Sequence, residues 1–244
     1  QGPKSYAVLK EILGPSERRT VAALERTEFA ELTADGHQLL VARTGYTGEE
    51  LGYEIYSAAA DALWLWNRLL DIGRPLGLLP CGLASRDSTR TEAGLPLYGH
   101  ELAGPHDINP FEAGFGPYVK LHKSFFVGRA ACIRFYLEQK REIVRFEAEA
   151  GSRPVREGAL VLDRNGTVLG QVTSCVSLGE AQIGLALLDR RGLDAGTPIL
   201  LLPAPRPESL PQTADVGTRM PVTSPGRIVS RFQTRSLPPE SEAE

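Results

Sequence analysis

The sequence has few of the features that mark secreted, membrane or metal-binding proteins. Its 244 residues include one methionine and three cysteines, and no apolar run approaches the ~18 residues of a membrane-spanning helix. No secretory pattern of a charged segment followed by an apolar one opens the chain. The cysteines are odd in number and far apart, so they form neither a disulfide framework nor a metal-ligand spacing: Cys81, Cys132 and Cys175. We expect three small buried apolar groups and a reducing compartment, the cytoplasm or, in a eukaryote, the mitochondrial matrix.

Strong charge of one sign is also missing. Lys and Arg number 27 against 30 Asp and Glu, a net charge of −3 without a basic tract, so we predict no nucleic-acid partner and no membrane partner. The four histidines show no metal-ligand spacing, and we predict no metal site: His37, His100, His106 and His122. No Gly-x-Ser-x-Gly elbow is present, which argues against a hydrolase of that type.

The first 139 residues alternate helical and extended patterns. A buried strand over 38–42 pairs with a strand over 53–56, and the polar segment Glu17–Glu31 is predicted to be irregular or weakly extended. In the second of four predicted helices, Trp66 belongs to the apolar face. The predicted helices cover Ser5–Leu13, Ser57–Leu70, Pro80–Ala93 and Gly128–Leu137.

After about Lys140 the pattern changes to short strands separated by turns. Asn165-Gly166 is a hairpin signal between two of them. A small β-barrel or a sandwich fits this pattern, so the fold class is α+β. We predict domains over 1–139 and 140–235 and a disordered tail over Ser236–Glu244. The predicted strands are Glu142–Ala148, Ala159–Asp163, Val168–Ser174, Ala181–Leu188, Pro198–Leu202 and Arg227–Phe232.

The glycine-rich stretch Arg43–Glu54 (RTGYTGEELGYE) lies between the two early strands. Its glycines allow positive φ and close backbone approach, but it lacks the spacing and the Lys-Ser/Thr ending of a nucleotide loop. It presents Tyr46 and ends on Glu54, which points away from Tyr53 and Ile55 on the strand. From periodicity alone, Glu54 is equally compatible with a solvated carboxylate and Tyr46 with a packing residue.

A second stretch, Pro80–Glu101, contains Arg86 and Arg90 four residues apart on one helical face. Like charges at this spacing repel, so the helix requires an anion, supplied either locally by Asp87 or Glu92 or by a bound ligand. His100 follows without a Ser or Cys partner motif and carries no catalytic signature.

Together the two stretches hold the residue types that a pterin with a carboxylated tail requires: carboxylates for ring N–H groups, tyrosines for stacking and arginines for the acidic tail. Their sequences resemble those of the tetrahydrofolate-dependent aminomethyltransferases, the family of the glycine cleavage T-protein. The matching motifs are TGYTGE followed by GYEI, and GL-x-x-RD-x-x-R-x-E-x-G followed by LYG. Lesser matches in the same order are Gln1–Pro3, Phe125–Ala131 and Val172–Ser174.

The resemblance implies a trefoil of two intertwined α+β parts, here partial, followed by a C-terminal β-barrel. It implies tetrahydrofolate as the cofactor, with Tyr46 beside the pterin, Glu54 on its ring N–H groups and Arg86 approaching it. The implied reaction moves an aminomethylene carbon from a lipoyl adduct on an H-type carrier protein to tetrahydrofolate, with release of ammonia.

The sequence departs from the family pattern at three places. The family's catalytic aspartate lies upstream of the segment that Gln1 begins, so we expect no catalytic residue in this chain. With its only methionine at Met220, we expect a processed or partial chain that is inactive alone. One additional residue separates Tyr46 from Glu54, so Glu49 or Glu50 is an alternative for the ring. Cys175 replaces a usual glycine.

Two other functions are compatible with the same folate pocket. One is a folate-dependent demethylase acting on a small methylated amine or sulfonium compound, and the loop sequence Gly-Glu-Glu-Leu-Gly-Tyr-Glu is closer to that of such relatives. The other is a folate-binding module without catalysis. We rank it third, because the comparable segment from Lys123 lacks the cysteine motif of those relatives.

Overall fold

The computed structural model describes residues 1–149, 151–189, 193–204, 210–211, 214–221 and 224–232. The chain divides into two compact units, 1–89 and 90–244. Helices long and apolar enough to cross a bilayer are absent from the described ranges. The predicted tail, Ser236–Glu244, lies outside the described residues, and the predicted domain boundary near residue 140 stays a prediction.

The first unit combines four helices with one antiparallel sheet. Helix α1 continues as a 3₁₀ turn over Lys10–Ile12, which confirms the helix predicted over this segment. The sheet has the order β1-β2-β3, and the pairing of β2 with β3 was predicted. The elements of this unit are α1 Ser5–Leu9, α2 Pro15–Ala23, β1 Phe29–Ala34, β2 His37–Ala42, β3 Glu54–Ser57, α3 Ala62–Gly73 and α4 Leu83–Glu92, the last of which continues into the second unit.

The prediction that Glu17–Glu31 is irregular or weakly extended is wrong for its first half, which α2 occupies as far as Ala23. It is confirmed for the rest, where 24–28 has no helix or strand and the extended strand β1 begins at Phe29. Pro15 suits the first turn of a helix, and the Arg18 Nε–H donates to the carbonyls of Lys10 and Leu13 at 2.7 and 2.9 Å. The helix buries only Val21. With a single buried apolar residue, α2 has no apolar stripe, and its sequence therefore shows no helical periodicity. Tertiary contacts, not an amphipathic pattern, stabilise this helix.

The prediction that Trp66 is a core residue is also wrong, because its side chain is 54% exposed. Helix α3 instead buries Leu65 and packs Trp64, Leu69 and Ile72 against the same cluster. Trp64 also stacks on His37, with ring centroids 3.8 Å apart. Neighbouring residues on a helix point about 100° apart, so turning Leu65 inward moves Trp66 toward solvent.

The second unit contains helix α5, Arg129–Glu138, and a closed six-stranded antiparallel barrel. The barrel confirms the first of the two predicted all-β architectures. Its order is β4-β7-β6-β5-β8-β9, and Asp163 Oδ1 accepts backbone hydrogen bonds from Asn165 and Thr167 in the predicted hairpin turn. The strands are β4 Glu142–Ala148, β5 Leu160–Leu162, β6 Val168–Leu178, β7 Ala181–Leu188, β8 Pro198–Leu202 and β9 Ser224–Val229.

The three cysteines differ in exposure, and the prediction that all are buried is wrong for Cys81, which is exposed. Cys175 lies in β6, where burial raises the pKa of its thiol from 9.0 to about 11. At pH 8 the thiolate of Cys175 should therefore be ~100-fold scarcer than that of an ordinary thiol.

We expect a thiol reagent at pH 8 to modify Cys81 rapidly and Cys175 ~100-fold more slowly, as followed by mass spectrometry of the modified peptides. Cys81→Ser should remove the fast phase. Modification in denaturant should be fast at every cysteine. Equal rates for Cys81 and Cys175 in the folded protein would contradict this prediction.

Candidate functional site

The first residues of the chain hydrogen-bond to the loop between β2 and β3. The backbone N–H of Gly2 donates to the carbonyl of Leu51 at 2.9 Å, and the Ser5 hydroxyl donates to the same carbonyl at 3.3 Å. The Thr47 hydroxyl donates to Gln1 Oε1 at 3.2 Å. The loop is therefore held at several points along its length.

The loop glycines serve two different needs, both of which the sequence indicated. Gly48 has φ of 87°, the left-handed region that favours glycine. Gly45 and Gly52 instead permit close approach, because a Cβ at either position would overlap the Gln1 side chain. The loop conformation thus requires glycine at position 48, whereas a side chain at position 45 or 52 would have to displace the end of the exposed Gln1 side chain.

The structure brings together two of the three predicted binding residues, Tyr46 and Arg86. The Arg86 guanidinium carbon lies 5.4 Å from the centroid of the Tyr46 ring, within the range of a cation–π contact. Both residues are half-buried. Arg86 lies in the first turns of α4, where its backbone N–H donates to the carbonyl of Gly82. An arginine stacked on a ring still presents planar N–H donors that suit a carboxylate or phosphate.

Glu54 begins β3, opposite Ala42 of β2. It shares a strand face with Tyr56, whose hydroxyl donates to Glu54 Oε2 at 3.1 Å. That hydrogen bond to a carboxylate raises the pKa of Tyr56. Tyr53 and Ile55 pack against the core of the unit, which confirms the predicted alternation. The side chain of Glu54 thus has its hydrogen bond with Tyr56, whereas Tyr46 and Arg86 contact each other.

A cavity of about 630 Å³ lies in the same unit. It is lined by Tyr53 and Ile55, the neighbours of Glu54 that point to the other face of the strand, and by apolar residues of α1 and α3. Tyr46, Glu54 and Arg86 do not line it. Its walls offer few of the convergent polar groups that a pterin ring requires. The predicted folate residues therefore lie outside this cavity.

The second unit holds a buried polar network that the sequence did not indicate. Arg90 and Glu101 are 1% and 0% exposed, and the Arg90 Nη1 donates to Glu101 Oε2 at 3.1 Å. The Ser174 hydroxyl donates to Glu101 Oε1 at 2.5 Å, and the Leu97 N–H donates to Oε2 at 2.8 Å. The sequence pattern predicts Asp87, Glu92 or a ligand as the anion for the arginine pair. Glu101 fills that position for Arg90, and no spacing rule connects the two.

The charge of Glu101 is maintained by its partners. Burial alone would raise the pKa of its carboxyl, but the hydrogen bonds from Ser174 and the Leu97 N–H, together with the Arg90 guanidinium, outweigh burial and lower that pKa. The network is therefore a charged pair at neutral pH and joins the end of α4 to strand β6.

The comparisons with known proteins agree with one another. Residues 1–123 match the family described as the GCVT N-terminal domain. The aminomethyltransferase of Bacillus subtilis (strain 168) is 42% identical over 207 residues, covering 81% of this chain and 53% of the relative. That of Chlorobium luteolum is 41% identical over 174 residues, covering 71% of this chain and 46% of the relative.

A solved structure is similar in fold as well. The glycine cleavage system aminomethyltransferase T from Bartonella henselae superposes with a TM-score of 0.71 at 26% sequence identity, covering 94% of this chain and 57% of that one. The chain spans about half the length of the curated relatives that it matches.

Proposed function

The chain belongs to the aminomethyltransferase family of the glycine cleavage T-protein, and from this premise we propose that it acts in a tetrahydrofolate-dependent aminomethyltransferase. The reaction moves a one-carbon unit from a lipoyl-bound aminomethyl group to tetrahydrofolate and releases ammonia. The partner would be an H-type lipoyl carrier protein.

The observation that carries this proposal is the contact between Tyr46 and Arg86. With Arg86 against its ring, Tyr46 can stack on a pterin through its remaining surface, while the guanidinium attracts the acidic tail of the folate. Glu54 would accept hydrogen bonds from ring N–H groups. We favour Glu54 over Glu49 and Glu50 because pairing with β2 fixes its backbone, whereas the other two lie in the loop.

The binding test uses a chimera in which this chain replaces the matching segment of the Bacillus subtilis aminomethyltransferase. We expect Glu54→Gln to weaken tetrahydrofolate binding about 10- to 100-fold, because a charge-assisted hydrogen bond contributes about 1.5–3 kcal/mol. Arg86→Gln should weaken it about 10-fold through loss of the charge. Calorimetric titration measures both affinities.

The matched control is Glu50→Gln, which removes an exposed acid from the same loop and should leave the affinity unchanged. If Glu50→Gln or Glu49→Gln weakens binding and Glu54→Gln does not, the ring-binding role moves to that residue. If none of these variants or Arg86→Gln changes the affinity, the folate site is elsewhere.

Turnover separates the transferase from the two other functions. We expect the chimera to release ammonia only when both tetrahydrofolate and an aminomethyl-loaded lipoyl carrier are present. A folded chimera that binds folate without releasing ammonia would contradict the transferase proposal. Formation of a demethylated product from a methylated amine or sulfonium compound would then identify the demethylase, and its absence the non-catalytic module.

A further inference from the structure

Two histidines of one loop converge with a glutamate of the second unit, although helix α5 and strand β4 lie between them in sequence. One potential ligand atom from each of His100, His106 and Glu157 lies within 4.8 Å of the other two. The imidazole rings meet edge to face, with centroids 5.6 Å apart. Two imidazoles and a carboxylate are a common ligand set for zinc and related transition metals.

His106 is the member of this group that most requires a partner. Its side chain is only 9% exposed, yet its Nε2 atom has no hydrogen-bond partner among the residues that the structure describes. Nε2 lies 3.7 Å from Glu157 Oε1, too far for a hydrogen bond. That separation suits two ligands of one ion, since atoms ~2.1 Å from a tetrahedral zinc stand ~3.4 Å apart.

A hydrogen bond to strand β6 fixes the His100 ring and leaves its other nitrogen available to a metal ion. His100 Nε2 lies 2.8 Å from the carbonyl oxygen of Thr173. A carbonyl only accepts hydrogen bonds, so Nε2 carries the hydrogen and Nδ1 is left with the lone pair that a metal needs. The β6–β7 register shifts between Val172 and Ser174, which leaves Thr173 outside the pairing at a bulge. Metal-binding histidines commonly donate their second ring N–H to a carbonyl in this manner.

The residues preceding Thr173 on β6 contact the His106 side chain and the backbone next to Glu157. The Gln171 amide nitrogen lies 3.5 Å from His106 Nδ1. When His106 binds a metal through Nε2, its Nδ1–H would donate to the Gln171 amide oxygen after that amide turns over. Next to Glu157, the Gly158 N–H donates to the Val172 carbonyl at 2.9 Å. One short segment of β6 thus contacts both imidazole rings and holds the backbone next to Glu157.

We propose that His100, His106 and Glu157 bind one divalent transition-metal ion of the zinc type, with water in the fourth position. Two nitrogen ligands disfavour Mg²⁺ and Ca²⁺, which prefer oxygen. The exposed Glu157 side chain can supply the small movement that closes the site around the ion. The proposal uses none of Tyr46, Glu54 and Arg86, and it does not depend on folate binding.

The test is a Zn²⁺ titration of the tag-free protein after treatment with a chelator, followed by calorimetry and by competition with a chromophoric chelator. We expect one equivalent to bind. His106→Asn and Glu157→Gln should each weaken the affinity at least ~10-fold, since even outer partners of a metal site contribute ~10- to 100-fold. Co²⁺ should give the intense visible absorption of a four-coordinate site in the unaltered protein and not in the two variants.

His122→Asn is the matched control, because His122 is an exposed histidine outside the group, and it should bind Zn²⁺ as the unaltered protein does. Circular dichroism checks the fold of each variant. If His106→Asn misfolds, Glu157→Gln decides, because its side chain is 57% exposed and its replacement leaves no buried gap. Absence of one-equivalent binding, or unchanged affinity in Glu157→Gln, would overturn the proposal.

Discussion

Replacing Glu101 with Gln should lower the free energy of unfolding by about 3–5 kcal/mol, because the change removes the carboxylate charge that pairs with the buried Arg90 guanidinium. Glutamine keeps the size and shape of the side chain, so the effect isolates charge from packing. Arg90 is 1% exposed, and solvent cannot replace the lost carboxylate. Urea unfolding in buffer with chelator, followed by circular dichroism, measures the change.

The matched control is the exposed pair of Arg227 and Glu147, in which the arginine Nη2 lies 2.7 Å from the carboxylate. Glu147→Gln should cost less than about 1 kcal/mol, because solvent screens that pair. Arg90→Met combined with Glu101→Leu should recover most of the stability lost in Glu101→Gln, since apolar side chains carry no charge to desolvate. If Glu101→Gln costs no more than Glu147→Gln, the buried pair contributes little to the fold.

Phe146→Ala should lower the free energy of unfolding by about 3–5 kcal/mol, because it empties the centre of the barrel. Phe146 is fully buried in β4 and lies opposite Gly184 of β7. A Cβ at position 184 would overlap the Phe146 ring, so the ring occupies the space that the glycine leaves. Without the ring, the closed barrel cannot collapse to fill the cavity. Chemical denaturation measures the loss.

Two further variants separate the loss of buried volume from the loss of a phenyl ring as such. Phe146→Leu retains most of the buried volume and should cost less than about 1.5 kcal/mol. Phe125→Ala removes the same ring from a position that is 79% exposed and should change the stability by less than about 0.5 kcal/mol. A similar cost for Phe146→Ala and Phe125→Ala would show that the barrel interior does not depend on this side chain.

The barrel was predictable because its strands carry local signals. The predicted bounds of β4, β7 and β8 agree with the structure, since each is an apolar run between turn residues. The predicted position of the last strand, Arg227–Phe232, is displaced toward the C-terminus relative to the observed strand, Ser224–Val229. Pro225 and Gly226 look like turn residues in sequence, but pairing with β4 and β8 holds them extended.

Helix α2 and the exposure of Trp66, by contrast, were not predictable from local signals. In both cases the prediction failed because burial depends on the direction in which one or two side chains point. Val21 is buried in a polar helix, and Trp66 is exposed on an apolar one. Periodicity averages over a face, so it cannot register an element whose burial rests on a single residue.

The sequence alone determined the family and predicted the folate residues, because Tyr46, Glu54 and Arg86 lie in two contiguous motifs that can be recognised in order. The structure adds that Arg86 stacks on Tyr46 and that Glu54 bonds to Tyr56. The three site assignments themselves stay predictions until folate binding is measured.

Only the tertiary structure decided the partners of the other polar residues. Glu101 pairs with Arg90 across a loop and accepts a hydrogen bond from Ser174 of β6. His100 and His106 lie close to Glu157. Ser174 and Glu157 lie far in sequence from the residues that they meet, and no spacing rule connects these groups. They meet because loops from separate parts of the chain pack against β6 near its bulge at Thr173 in the closed barrel, and that closure is a property of the whole fold.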